Sequence, residues 1–296
     1  MKNSLAQNGP SFIKLIECPR DAMQGWKHFI PTEKKIAYLN TLLKVGFDTL
    51  DFGSFVSPKA IPQMADTSQV IGHLDLSRSS TKLLAIIANV RGAEEACVFS
   101  EIDYLGFPFS ISETFQLRNT NSTIQKSLGT VENVQELCLK NNKQLVVYIS
   151  MGFGNPYGDP YSEDIVLEWI NSLKELDVKI ISLADTVGLA TPKQVERMTS
   201  YLVSSLAGIE IGVHLHAHTG GWKPKIDAAL EAGCMRFDGA MKGIGGCPMA
   251  EDELVGNLDT ENLIPYFEER KLLPSINKEA LKEASRLAAE IFYNKG

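Results

Sequence analysis

The order of apolar runs and helical patterns along the 296 residues predicts an α/β fold, a closed (β/α)8 TIM barrel with a short C-terminal helical extension. Three observations lead there. Eight short apolar runs alternate with longer helical stretches, which makes neighbouring strands parallel with crossover helices between them. Successive runs lie mostly roughly 30 to 40 residues apart, the length of a βα unit. No glycine fingerprint for a dinucleotide follows the first run, where Pro19-Arg20-Asp21 stands instead. An open doubly wound sheet is the alternative that the same pattern leaves open.

The first strand is expected over Phe12 to Cys18, where only Lys14 and Glu17 interrupt the apolar residues. Thr32 opens a helical pattern that runs from Glu33 to Val45, and Phe47 to Phe52 forms the second strand. Leu83 to Ala88 and Tyr104 to Ile111 are the third and fourth. A helix over Thr130 to Asn141 leads to the fifth, Leu145 to Ser150, and Lys179 to Leu183 is the sixth. Thr191-Pro192 supplies an N-cap and a first-turn proline for a helix over Lys193 to Leu206. Ile211 to His216 and Met235 to Gly239 complete the eight. A loop over Ala240 to Leu258 then precedes helices at Thr260 to Arg270 and Asn277 to Tyr293. No Pro-, Gly- or Ser-rich linker divides the chain. A single catalytic domain over 1–296 is expected, with the barrel at about 12–258 and the C-terminal helices at about 259–296.

Composition narrows the partners. Acidic residues outnumber basic ones 36 to 29, a net charge of −7, so no dominant cationic surface for nucleic acid or anionic membrane is expected. The best candidate for a membrane span, Leu83 to Val90, falls well short of the roughly 18 apolar residues of a spanning helix. Met1 to Pro10 has neither an apolar signal core nor an Arg-rich leader, which makes a cytoplasmic location the expectation. Five cysteines (Cys18, Cys97, Cys138, Cys234, Cys247) without a Cys-x-x-Cys pair indicate neither a disulfide framework nor a structural zinc site.

Three signals carry chemistry. His214 and His216 stand two apart at the end of the seventh strand, so they leave the same face and can share a metal ion, although a pair of core histidines would look the same. His218, beyond the strand, reads as a loop residue. Glu17, Arg20 and Asp21 follow the first strand and share the barrel rim with the histidines, as do Asp51 to Ser54 and Asp185-Thr186 after the second and sixth strands. Lastly, Gly243-Ile244-Gly245-Gly246-Cys247-Pro248 makes a glycine-rich segment able to close over a ligand. Its Cys247 thiol would be protonated at neutral pH and able to donate. Oxygen donors such as Asp21 and Asn257 beside two imidazoles suit Mg²⁺ or Mn²⁺ better than zinc. Lys27 and Lys59 lie in rim loops, where they could meet phosphates or simply be solvated.

Several segments together resemble the 3-hydroxy-3-methylglutaryl-CoA lyase family of metal-dependent TIM-barrel lyases. They are Pro19-Arg20-Asp21-Ala22-Met23-Gln24, Ser54-Phe55-Val56-Ser57-Pro58-Lys59, Leu183-Ala184-Asp185-Thr186-Val187-Gly188, Val213-His214-Leu215-His216, Gly245-Gly246-Cys247-Pro248 and Gly256-Asn257-Leu258. They occur in the family's order between about residues 12 and 265. The resemblance implies a divalent cation held by Asp21, His214, His216 and Asn257, with Cys247 as the mobile catalytic thiol. It implies Arg20, Gln24, Ser54 and Lys59 on the substrate, and catalytic or supporting roles for His214, Glu17, Asp51 and Asp185. The implied reaction cleaves (S)-3-hydroxy-3-methylglutaryl-CoA to acetoacetate and acetyl-CoA, and the implied assembly is a homodimer or higher homo-oligomer.

The chain departs from the family pattern at Ala22, where glycine is usual, at Ala217, where an acid is usual, and at Asp51, where glutamate is usual. Spacing also differs by one residue between Glu17 and Arg20 and between Cys247 and Asn257. All four ligand positions are retained, so the departures bear on the metal's surroundings and on the acyl group, which leaves other branched acyl-CoAs open. Two further readings share parts of the pattern. A related aldolase or Claisen-type synthase acting on another acyl-CoA is disfavoured by the Cys247 loop. A metal-binding barrel without catalysis is the reading that Ala217 and the shifted spacings would support.

Overall fold

The strands expected from the sequence close into a barrel in the computed structural model, which describes residues 12–218, 220–246 and 255–293. They are β1 (Lys14–Glu17), β2 (Thr49–Ser54), β3 (Lys82–Ile86), β4 (Ile102–Ser110), β5 (Gln144–Ser150), β6 (Ile180–Ala184), β7 (Glu210–His214) and β8 (Arg236–Gly239). Each pairs in parallel with the next, and β8 returns to β1 with Lys14 opposite Arg236 and Ile16 opposite Asp238. Sequences such as Leu145-Val146-Val147-Tyr148-Ile149 follow from this position, because a parallel strand is covered on both faces.

The described helices are α1 (Pro19–Gln24), α2 (Thr32–Leu42), α3 (Thr67–Ile71), α4 (Val90–Cys97), α5 (Glu113–Thr120), α6 (Ile124–Lys140), α7 (Glu163–Glu175), α8 (Pro192–Ser205), α9 (Trp222–Glu231), α10 (Thr260–Glu269) and α11 (Lys278–Phe292). None is long and apolar enough to cross a membrane. Side-chain caps set most of their starts. Thr191 and Gln194 form a reciprocal capping box on α8, and Asn277 accepts from the Ala280 amide at 3.1 Å on α11.

Several boundaries differ from the sequence reading for local reasons. The helix expected from Thr130 begins at Ile124, because the Thr123 hydroxyl accepts from the Lys126 amide; Gly129 sits inside the helix and only looks like a break. Thr32 is the first residue of α2 rather than its cap, and its hydroxyl donates to Asp66 at 2.8 Å; the helix stops at Leu42 instead of Val45. β7 ends at His214, not His216, because His216 leaves the ladder and pairs with Asn257.

Two apolar layers result. Leu84, Tyr104, Val146, Tyr148 and Ile180 fill the barrel's interior, while the larger cluster lies between the strands and the helices. Ile16 and Cys18 share the inward face of β1, since Ile16 pairs with Asp238 and the Cys18 thiol lies within 4.8 Å of donor atoms on His214 and Asp238. Leu15 and Glu17, one position off, face outward.

That parity corrects the expectation for Glu17. Its carboxyl sits behind the barrel wall, accepting from the Met241 amide at 2.8 Å and the Thr260 hydroxyl at 2.5 Å, and so ties the chain after β8 to β1. Among the described residues it hydrogen-bonds to none of the other candidates. Burial pushes its pKa up from 4.5 to about 8, against the pull of those two donors. The folded state therefore holds a proton that the unfolded chain releases, and stability falls as pH rises through this window. Urea unfolding of the wild type should show a negative slope between about pH 5 and pH 8, approaching ~1.4 kcal/mol per pH unit, that Glu17→Gln removes. Parallel pH profiles for the two proteins would refute this role.

Candidate active site

The rim formed by the strands' C-terminal ends gathers side chains that are far apart in sequence. β1 passes directly into α1, and Pro19 at the first helical position sets the turn, so Arg20 and Asp21 enter the barrel mouth on the first turn of α1. His214 ends β7 and His216 follows on the same face, their rings meeting edge to face at 5.2 Å. One donor atom each from Asp21, His214 and His216 lies within 4.8 Å of the other two. Asn257 joins them from the chain after β8, its amide donating to Asp21 Oδ2 at 2.6 Å and to the Ile244 carbonyl at 2.9 Å.

Protonation suits these groups to a cation. Burial works against the charge on Asp21, but Arg20 and then His214 outweigh it and hold the carboxyl at about 2. Burial, followed by the charge of His214, lowers His216 to about 4, so its imidazole is neutral at physiological pH. Both ring nitrogens of His216 are buried with no hydrogen-bond partner among the described residues. A neutral buried imidazole with one nitrogen lone pair free, a carboxylate and a carboxamide oxygen make a donor set that fits a hard divalent cation. His214 is displaced the other way: burial lowers its proton affinity, and the hydrogen bond it donates to Asp238, with that carboxylate's charge, more than restores it.

Arg20 is fixed in the cluster rather than lying on the surface. Its Nε and Nη2 donate to Asp51, the latter at 2.5 Å, and Nη1 donates to Asp21 Oδ1 at 3.0 Å. Burial raises Asp51 to about 6 even with Arg20 beside it, so the pair is ionised at neutral pH. Gln24 Nε2 donates to Asp21 Oδ1 at 2.8 Å.

The family model described as HMGL-like matches residues 13–288. The chain belongs to the HMGL-like family. The hydroxymethylglutaryl-CoA lyase of Bacillus subtilis (strain 168) is 32% identical over 280 residues, 92% of this chain and 90% of that protein. The human 3-hydroxy-3-methylglutaryl-CoA lyase described as cytoplasmic is 31% identical over 93% of this chain and 74% of its own length. A solved HMG-CoA lyase from Acinetobacter baumannii, in complex with coenzyme A and 3-methylmalate, superposes with a TM-score of 0.87 at 32% identity, over 95% of this chain and 91% of that one.

In this HMGL-like barrel the remaining sequence-predicted residues divide. Ser54 is brought to the mouth: a bulge between Asp51 and Gly53 lets Asp51 pair with Leu84 and Ser54 with Ile86, so both face inward although three positions separate them. The Ser54 hydroxyl is buried without a partner among the described residues. Asp185 stays behind the histidines. It accepts from the Ala190 amide at 3.0 Å and from Lys225 at 2.7 Å, and Lys225 in turn donates to the His216 carbonyl at 2.6 Å. Lys27, Lys59 and His218 are exposed. Cys247 lies outside the described residues.

Sequence reasoning missed Asp238, Cys18 and Lys225. Arg236 and Asp238, charges two apart in an otherwise apolar strand, were the available signal for the first. Nothing in the sequence marks Lys225, which reaches His216 from α9.

Glycine at 245 is a geometric requirement of this site. Its φ is +113°, and a Cβ there would lie 2.3 Å from Asn257 Nδ2 and 2.9 Å from Asp21 Oδ2. Gly245→Ala should displace both donors and weaken Mn²⁺ uptake by about tenfold or more, read by calorimetric titration of the metal-free protein. Unaltered affinity would mean that Asn257 and Asp21 do not need this close backbone.

Proposed function

We propose that this chain is a divalent-metal-dependent carbon–carbon lyase that cleaves (S)-3-hydroxy-3-methylglutaryl-CoA to acetoacetate and acetyl-CoA. One observation carries the reading: the convergence of Asp21, His214 and His216, with Asn257 bonded to Asp21, beside a guanidinium held by two carboxylates. Lyases of this specificity among the relatives and a coenzyme A complex in a solved relative support the substrate class.

The cation is read as Mg²⁺ or Mn²⁺, which the oxygen donors and neutral imidazole favour. When bound it supplies positive charge that polarises the substrate's C3 hydroxyl and a neighbouring carboxylate. The protein's own groups do the rest. The proton on the C3 hydroxyl passes to a carboxylate of the cluster; Asp51, at about 6, is a better acceptor than Asp21, at about 2. The C2–C3 bond then breaks, its electron pair moving into the thioester as the C3 carbonyl of acetoacetate forms. Arg20 stabilises the enolate charge of departing acetyl-CoA, and the Cys247 thiol returns a proton to its C2.

Gln24 on Asp21 and the inward Ser54 shape the acyl pocket in this reading, and Lys59 meets the coenzyme's phosphates from the rim. The chain is read as one catalytic domain over 1–296. The resemblance also supports a homo-oligomer, and the human relative supports a cytoplasmic location.

Incubation of the purified protein with the thioester and Mg²⁺ or Mn²⁺ should release acetoacetate and acetyl-CoA in equal amounts. Absence of acetoacetate from protein shown to hold metal would sink the reading. Cys247→Ser should lower turnover by about 10²- to 10⁴-fold while Mn²⁺ uptake is retained, as expected for loss of a proton donor.

A further inference from the structure

His214 has two ring nitrogens, and the structure gives them different tasks. Nδ1 lies 3.0 Å from Asp238 Oδ2, and the Asp238 side chain is 1% exposed. The strand register makes this contact a property of the backbone: Gly212 pairs with Arg236, so His214 and Asp238, each two residues on, stand level on the inward faces of β7 and β8. We propose that Asp238 is a positioning residue for the metal centre, accepting Nδ1–H of His214 and so fixing the tautomer whose bare Nε2 is presented toward Asp21 and His216. The proposal rests on the cation reading above and adds a residue outside the ligand set.

The same neighbourhood offers a competing arrangement that the chemistry rejects. Donor atoms of Cys18, His214 and Asp238 also lie within 4.8 Å of one another, a thiol, imidazole and carboxylate set of the kind that holds zinc. Nδ1 and Asp238 Oδ2 stand 3.0 Å apart, a hydrogen-bond distance, and burial disfavours the thiolate that a cation would need at Cys18. What lies between Nδ1 and Asp238 is therefore a proton. Packing holds the ring for this bond: Tyr148 meets His214 edge to face at 5.9 Å, and His216 does so from another side. Arg236, fully buried two residues before Asp238, is stabilised by the Asp238 carboxylate and lends it positive charge in return. Metal-ligating histidines generally hold their second nitrogen in such a bond, and removing the partner typically weakens metal binding 10- to 100-fold.

Two measurements on the full chain decide the matter. In metal-free wild-type protein labelled with ¹⁵N-histidine, taken to a pH at which the His214 ring is neutral, the His214 resonances, assigned by their loss in His214→Asn, should show Nδ1 protonated and Nε2 bare. A neutral ring with its proton on Nε2 and Nδ1 bare would overturn the proposal whatever the variants do. Calorimetric titration with Mn²⁺ should show Asp238→Ala binding about 10- to 100-fold more weakly than wild type with an unchanged circular dichroism spectrum, and affinity within roughly threefold of wild type would also overturn it. If Asp238→Ala does not fold, the wild-type tautomer alone decides. Failure of the cation reading itself shows separately, as a wild-type protein that takes up no Mn²⁺.

Discussion

Arg20 is the charge on which the barrel mouth depends. A buried carboxylate without a partner costs several kcal/mol, and here two of them, Asp21 and Asp51, stand in the same enclosed volume. One guanidinium serves both, with Nε and Nη2 turned to Asp51 and Nη1 to Asp21. The planar fork is what allows this, since a lysine ammonium could not fix two carboxylates in defined directions. Removing either partner of such a buried pair typically costs about 3–5 kcal/mol, because the other charge is left behind. The pairing also leaves two carboxylates against one cation, an excess of negative charge beside a neutral His216. A divalent cation is the natural complement of that imbalance.

The fold was legible because its signal is periodic and repeated. Eight apolar runs at near-regular spacing leave few topologies, of which a closed barrel is the economical one. The histidine pair was legible for the same reason, since a spacing of two on a strand means one face. Glu17 shows the limit of such reasoning. It lies next to Cys18 in sequence and was placed at the site, yet a single step along a strand sends it through the wall to Met241 and Thr260. Asp51 and Ser54 fail in the opposite sense: three apart, they should face opposite ways, and only the bulge at Gly53 brings both inward. The roles of Asp238 and Lys225 were not legible, even where the charge of Asp238 in an apolar strand was, because their partners, His214 and Asp185, lie on other strands or loops, and only barrel closure sets those distances.

Backbone contacts at glycines hold the chain after β8 against the site. Besides Gly245, a Cβ at Gly256 would fall 2.2 Å from the Gly243 carbonyl oxygen, and one at Gly188 would meet Val255 at 2.9 Å. The Ala240 amide donates to the Leu258 carbonyl at 2.9 Å, the Thr260 amide to the Ala240 carbonyl at 3.2 Å, and the Ala217 amide to the Gly256 carbonyl at 3.2 Å. Asn257 is thus presented from a backbone pinned on both sides to the barrel. Side chains at these positions would hold the two segments apart, so the glycine pattern serves close approach as much as mobility.

The same geometry gives physical content to the chain's departures from its family. At Asp51 the shorter side chain still reaches Arg20 at 2.5 Å, so the lost methylene is absorbed by the guanidinium's position rather than by a broken pair. Ala22 is 3% exposed on α1, where its methyl joins the apolar core behind Asp21 and leaves the donor set unchanged. At Ala217 the connection to Gly256 runs through the backbone amide, which any residue but proline supplies. What an acidic side chain there would add is charge beside His216, and here that charge is missing. Of the three departures, Ala217 alone therefore changes the field around His216 rather than the geometry of the cluster. Arg20 and Asp51 are bonded as a pair at the barrel mouth, so any difference in the acyl group that this enzyme prefers is to be sought beside them.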